Sequence, residues 1–167
     1  MTPSCTHQSL TAVIARFGGT LAAGLHPLHD ACCVLEARSV CLGLPWTDDP
    51  AVLDVPDIRP LNDGLSDDAR TEAMIRLVTA LDPWATWSHD RQRAVATRIT
   101  IETVRQIVAD LPGLPPETRH QCREVTDLAA AWAAAWAAAG DAAWAAAGDA
   151  VLIRAVDIWI TACEATL

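Results

Sequence analysis

Between Ala129 and Ala147, 14 of 19 residues are alanine, and the octad AWAAAGDA at Ala135–Ala142 recurs unchanged at Ala143–Ala150. Alanine loses no side-chain freedom in a helix and is the best helix former. This tract therefore commits the end of the chain to helix whatever the remainder does. Eight residues turn a helix by about 800°, which is not a whole number of turns. A repeated tryptophan consequently drifts around the axis instead of lining one face. Trp132 and Trp136, four apart, are neighbours on the helix surface, and Trp144 is rotated onward. Gly140 and Gly148, each followed by Asp, are the expected breaks, with the Asp restarting the helix as a cap. Two uses of the tract stay open. Its alanine faces can form a tightly packed core anchored by tryptophans, or its tryptophans can form an exposed face that binds a partner, since Trp is enriched at binding hot spots.

The rest of the chain also carries helical rather than strand periodicity. A first helix is expected from Ser9 to about Leu25, with Leu10, Val13, Ile14 and Phe17 on one face and a bend at Gly18-Gly19. A second starts near Asp30 as N-cap and stops before Gly43. Pro45 to Leu65 reads as loop, punctuated by Pro45, Pro50, Pro56 and Pro60. A third helix, about Ser66 to Leu81, carries the stripe Met74, Leu77, Val78, Leu81. A fourth runs from about Ser88 to Leu111 with Val95, Ile99, Val104 and Val108 facing inward. After the Pro112–Pro116 break come the Ala/Trp region and a closing helix, Val151 to about Ala165, whose inner face is Leu152, Val156, Ile160 and Cys163. The expected architecture is one all-α domain over residues 1–167, a bundle of five or six helices. It has an acidic, Pro-rich loop at about 44–65 and an Ala/Trp-rich helical tract at about 116–166. An Ala-rich face packs equally well inside one chain or between two, so the oligomeric state stays open.

The formal charge is −9, with 12 cationic side chains, all arginine, and no Lys or Tyr. Direct nucleic-acid binding is not expected, because it needs a basic surface to neutralise phosphates. Much of the negative excess is local: from Asp48 to Asp68, seven acids against Arg59 alone leave −6. The most apolar run, Leu128–Ala139, is too short to span a bilayer, so no membrane association is expected and the compartment read from the chain is the cytoplasm. Six cysteines stand at positions 5, 32, 33, 41, 122 and 163 without a C-x-x-C pair. Buried, reduced thiols are the expectation in such a chain.

The densest reactive cluster is His26, His29, Cys32, Cys33, Glu36 and Cys41. On a helix beginning near Asp30, His29, Cys33 and Glu36 share one face. First-turn N–H groups there would lower a thiol pKa. A zinc site from His29 and Cys33 with a distant ligand, or a Cys33 nucleophile with His29 as base, is the chemistry such a face could carry. A packed helix start is the structural alternative, and no cofactor is assigned. The carboxylates Asp48, Asp49, Asp54 and Asp57 form either a solvated acidic surface or, with Trp132, Trp136 and Trp144, the contact residues for a partner. They lack the regular spacing of a calcium loop.

The stretch Cys33-Val34-Leu35-Glu36-Ala37 to Leu44-Pro45-Trp46-Thr47-Asp48-Asp49-Pro50 resembles a C-x-M-E-A…P-[WH]-[ST]-D-x-P motif. Leu61-Asn62-Asp63-Gly64-Leu65-Ser66-Asp67-Asp68-Ala69-Arg70 is similar to an L-N-D-x-[LM]-P-D-D-x-R element. Both occur in a family of uncharacterised bacterial and phage-associated proteins that often end in Ala/Trp/Asp tracts. Leu35 stands where the motif has Met, and Ser66 where it has Pro. The resemblance implies a layout and a mobile-element origin, not a chemistry. Physically, Glu36, Trp46, Asp48, Asn62 and Asp63 read as a structural clasp, with Asp48 and Asn62 capping and Trp46 over the helix that carries Glu36. The functional expectation is a non-enzymatic accessory protein that binds a basic protein partner through its acidic or Trp-rich surface. An inhibitor of the anti-CRISPR kind, competing with nucleic acid for a basic site, is one concrete form. The alternative is a metal- or thiol-dependent enzyme on the His29/Cys33/Glu36 face.

Overall fold

A computed structural model describes residues 4–27, 30–139 and 148–165, without the side chains of 136–139. His29, Gly140, Asp141, Trp144 and the side chain of Trp136 lie outside the described residues. Those residues hold eight α-helices, two 3₁₀ turns and no strand. The protein is all-α, with more helices than the five or six expected. It divides into two compact units, Met1–Trp87 and Ser88–Leu167.

The first unit contains α1 (His7–Ala15), α2 (Val34–Cys41), α3 (Arg59–Gly64), α4 (Asp67–Ala80) and a 3₁₀ turn at Trp84–Thr86. Helix α1 packs on α2 and α4, and α2 packs on α4. Their apolar stripes supply the core: Leu10 and Ile14 from α1, Leu35 from α2, and Met74, Leu77 and Val78 from α4, with Leu81 just beyond it. The first helix is shorter than its periodicity suggests. Gly18 and Gly19 both hold left-handed backbone (φ 95° and 85°), which ends the helix rather than bending it. The second helix starts late, at Cys33 rather than Asp30, and ends in a Schellman turn. There the Leu44 N–H reaches the Ser39 carbonyl at 2.9 Å and Gly43 takes φ 69°. Helix α3 occupies part of the expected loop, because Pro60 sits in the first turn, where its missing N–H costs nothing.

The second unit contains α5 (His89–Gln106), a 3₁₀ turn (Val108–Asp110), α6 (Pro116–Arg123), α7 (Leu128–Ala139) and α8 (Asp149–Glu164). Helix α5 packs against α6, α7 and α8, and α6 against α7. One cluster joins Val104, Val108, Leu111, Leu114, Cys122 and Val125 to Ala131 and Ala134 of α7. The single expected helical region after Pro116 is cut between α6 and α7. Asp127 caps the new start by accepting the Ala130 N–H at 2.9 Å. The closing helix buries Ala155, Val156, Ile158, Ala162 and Cys163 and leaves Leu152 and Ile160 half-buried, a face rotated from the expected one.

The thiol expectation needs one correction. Cys5 and Cys41 form a disulfide, with Cα atoms 5.7 Å apart, while Cys32, Cys33, Cys122 and Cys163 are free and buried. The pairing follows from the chain returning its N-terminal segment to the end of α2, a proximity that a separation of 36 positions conceals in the sequence. No helix among the described residues is long and apolar enough to cross a membrane.

Candidate functional site

The first unit is organised around a carboxylate with no exposure to solvent. Glu36 is fully buried in the first turn of α2. Its Oε1 accepts the His26 N–H at 2.7 Å. Its Oε2 accepts the Cys33 N–H at 2.7 Å and lies 3.0 Å from His26 Nδ1. Cys33 Sγ in turn accepts the Glu36 N–H at 3.5 Å, completing a reciprocal capping box with sulfur in the place usually held by a hydroxyl. Burial pushes the Cys33 thiol up to about 12 and the Cys32 thiol up to about 11. The expected activation of a first-turn thiol is thereby reversed: desolvation outweighs the backbone hydrogen bonds that favour the thiolate. With α2 beginning at Val34, Cys33 is its N-cap and Glu36 a buried acceptor in its first turn.

Around Glu36 the segment 21–27 is strapped down from several sides. Trp46 Nε1 donates to the His26 carbonyl at 2.9 Å, and its ring meets Phe17 with centroids 5.3 Å apart. Asn62, buried in α3, donates to the Ala22 carbonyl at 3.0 Å and to Asp63 Oδ1 at 2.9 Å, and its own Oδ1 lies 3.4 Å from the Val34 N–H. Asp63 Oδ1 accepts the Gly24 N–H at 2.8 Å. Glu36, Trp46, Asn62 and Asp63 thus converge on one strap. Asp48 adds negative charge near Arg59 instead of a hydrogen bond to the strap.

Two arginines complete the polar interior, and neither stands out in the sequence. Arg70, 4% exposed, donates through its guanidinium to the carbonyls of Asn62 (2.7 Å), Leu21 (3.2 Å) and Leu65, and to Asp67 Oδ1 at 2.6 Å. The planar fork closes the ends of α3 and of the strap onto α4. Arg38, 2% exposed, reaches Asp82 Oδ1 at 3.4 Å. Asp82 also accepts the Ser4 hydroxyl at 2.6 Å and the Cys5 N–H at 3.0 Å. The D-D-x-R stretch at Asp67–Arg70 includes Arg70 without giving it a role. Arg38 has no local signal.

The acidic segment is held from behind and solvated in front. Leu53, Val55 and Ile58 are buried, whereas Asp49, Asp54 and Asp57 are exposed and Asp48 is half-buried. Asp49 closes a local turn by accepting the Ala51 N–H at 2.9 Å. Asp54 holds left-handed backbone (φ 48°), which Asp tolerates better than most residues. Asp57 is engaged bidentately by Arg59, at 2.9 and 2.8 Å, and that pairing holds its carboxyl below the usual range. Asp57 therefore offers less free charge than Asp48, Asp49 and Asp54.

In the second unit, α7 buries Ala131 and Ala134 and turns Trp132 outward at 59% exposure. Leu128, one turn earlier on the same side, is also exposed. Within the described part of the tract, alanine enters the core and Trp132 stands in solvent. Among the described residues, no group of three His, Cys, Asp or Glu side chains is arranged to hold a metal ion. No known family, curated protein or solved structure matches the chain.

Proposed function

We infer that the protein is a non-enzymatic interaction protein, of the bacterial or phage-associated kind its motifs resemble, which binds a basic protein partner through the acidic segment 48–57. One observation carries this reading. The segment is anchored by Leu53, Val55 and Ile58 while Asp49 and Asp54 stand in solvent beside the exposed Val52, which is 55% exposed. Carboxylates held on a fixed backbone give a directional negative field without a large ordering cost on binding. The thiol-enzyme alternative draws no support from Cys33, whose sulfur is committed to capping α2 and whose proton is held tightly. The exposed Leu128 and Trp132 pair favours a second, apolar contact patch on the second unit.

The test compares capture of partners from a cell lysate by the wild-type chain and by an Asp48→Asn/Asp49→Asn/Asp54→Asn chain. Asn at 49 keeps the oxygen that caps Ala51, and Asn at 54 suits the left-handed backbone, so the triple variant changes charge with little else. The reading expects a basic partner bound by the wild type, weakened at least tenfold by the three substitutions and weakened by salt. A partner bound equally by both chains, with affinity unchanged by salt, overturns it.

A further inference from the structure

We propose that the cleft floored by Arg38 and Asp82 in the first unit is a binding site for a small carboxylate with an apolar body. The cleft has a volume of about 430 Å³ and is walled chiefly by Leu42, Leu44, Leu53, Pro83 and Ala85. That size and mostly apolar lining, with few polar groups, match small-molecule sites in general. The polar groups at its floor are unequally satisfied. Asp82 has three donors on its carboxylate: the Ser4 hydroxyl, the Cys5 N–H and Arg38 Nη1. Arg38 carries five N–H donors, yet its one hydrogen bond among the described residues is the 3.4 Å contact to Asp82. Its Nε is buried with no partner.

A guanidinium almost wholly removed from water is costly unless acceptors surround it. Burial alone already lowers the Arg38 pKa, with Asp82 opposing that shift. A further anion beside this guanidinium would offset its positive charge, and a carboxylate is a favourable partner for a guanidinium. One arginine already shared with an aspartate suits a monoanion better than a phosphate, which would call for more donors. The leucine and proline walls suit an alkyl or aryl body. The cleft shares the Leu53 wall with the acidic segment but none of its carboxylates, so the charge substitutions that test the one leave the polar groups of the other in place.

The test titrates the full chain with octanoate and with octanol, followed by amide chemical-shift changes. The proposal expects saturable octanoate binding, at least tenfold tighter than octanol, with the largest shifts at Leu44 and Ala85. Arg38→Met is expected to reduce octanoate to the affinity of octanol. Ala85→Trp, at an exposed position on the rim, keeps Arg38 untouched and is expected to block both ligands. Equal affinity for the two ligands, no saturable octanoate binding, or octanoate binding unaffected by Ala85→Trp would each overturn the proposal. The ligand comparison and Ala85→Trp stand even if Arg38→Met does not fold.

Discussion

Replacing Glu36 by alanine removes the acceptor for the buried Cys33 N–H and the half-buried His26 N–H, at 2.7 Å each. An unsatisfied buried donor costs about 1–3 kcal/mol, so the two together cost about 4 kcal/mol. The His26 ring is partly exposed and can turn to water, so it adds little. Gln at the same position keeps one carbonyl oxygen and sets its amide N–H₂ against one of the two backbone donors, an expected cost of about 2 kcal/mol. The assay is urea unfolding followed by tryptophan fluorescence, to which Trp46, bonded to the His26 carbonyl, contributes as one of seven tryptophans. With a urea slope of about 1–2 kcal/mol/M, the midpoint falls by about 2–4 M for Glu36→Ala and by about half as much for Glu36→Gln. A loss below about 1 kcal/mol for Glu36→Ala, or a Gln variant less stable than the Ala variant, would refute the assignment of Glu36 as the acceptor that holds the strap.

Reducing Cys5–Cys41 reopens a loop spanning 36 positions, and loop-closure entropy puts the loss at about 4 kcal/mol; denaturant midpoints with and without reductant check it, and coincident curves contradict the pairing. The free thiols give an alkaline limb to stability. Cys32, Cys33 and Cys163 are raised to about 11, 12 and 11 from an ordinary value of 9.0, so their contribution is complete below pH 9.0 and lost as pH rises toward those values. With no Lys or Tyr in the chain, cysteine is the only side-chain type present whose ordinary pKa falls in that range. Midpoints measured between pH 8 and 12 should fall, and less so in Cys33→Ala; a flat profile refutes the shifts. Arg70→Lys keeps the charge but loses the fork that serves three carbonyls and Asp67. It is expected to cost about 2–4 kcal/mol in the same unfolding assay, and a neutral result would contradict the hub.

The stripe Met74, Leu77, Val78, Leu81 and the inward face of α5 were legible in the sequence because apolar spacing at 3.6 residues survives any tertiary arrangement. The acidic segment was legible for the same local reason. Helix α3 was not, because the prolines that suggest a loop are compatible with a first helical turn. The Asp127 cap that separates α6 from α7 was hidden by the surrounding helix formers. The buried roles of Arg38 and Arg70 depend on acceptors supplied by distant segments, at Asp82 and at the carbonyls of Leu21, Asn62 and Leu65, and arginine on a helix otherwise reads as solvent-facing. Cys33 shows the limit of motif chemistry. A cysteine at a helix start beside a glutamate suggests an activated thiol, yet burial makes it an inert cap.

Negative charge presented to a basic partner should act mainly on the encounter rate, since complementary fields speed association more than they slow dissociation. The direct measurement is the association rate constant of the captured partner as ionic strength is raised, for the wild-type chain and for Asp48→Asn/Asp49→Asn/Asp54→Asn. The account predicts a steep fall with salt for the wild type, a slower and flatter rate for the variant, and similar dissociation rates. An association rate indifferent to salt and identical in the two chains would contradict it.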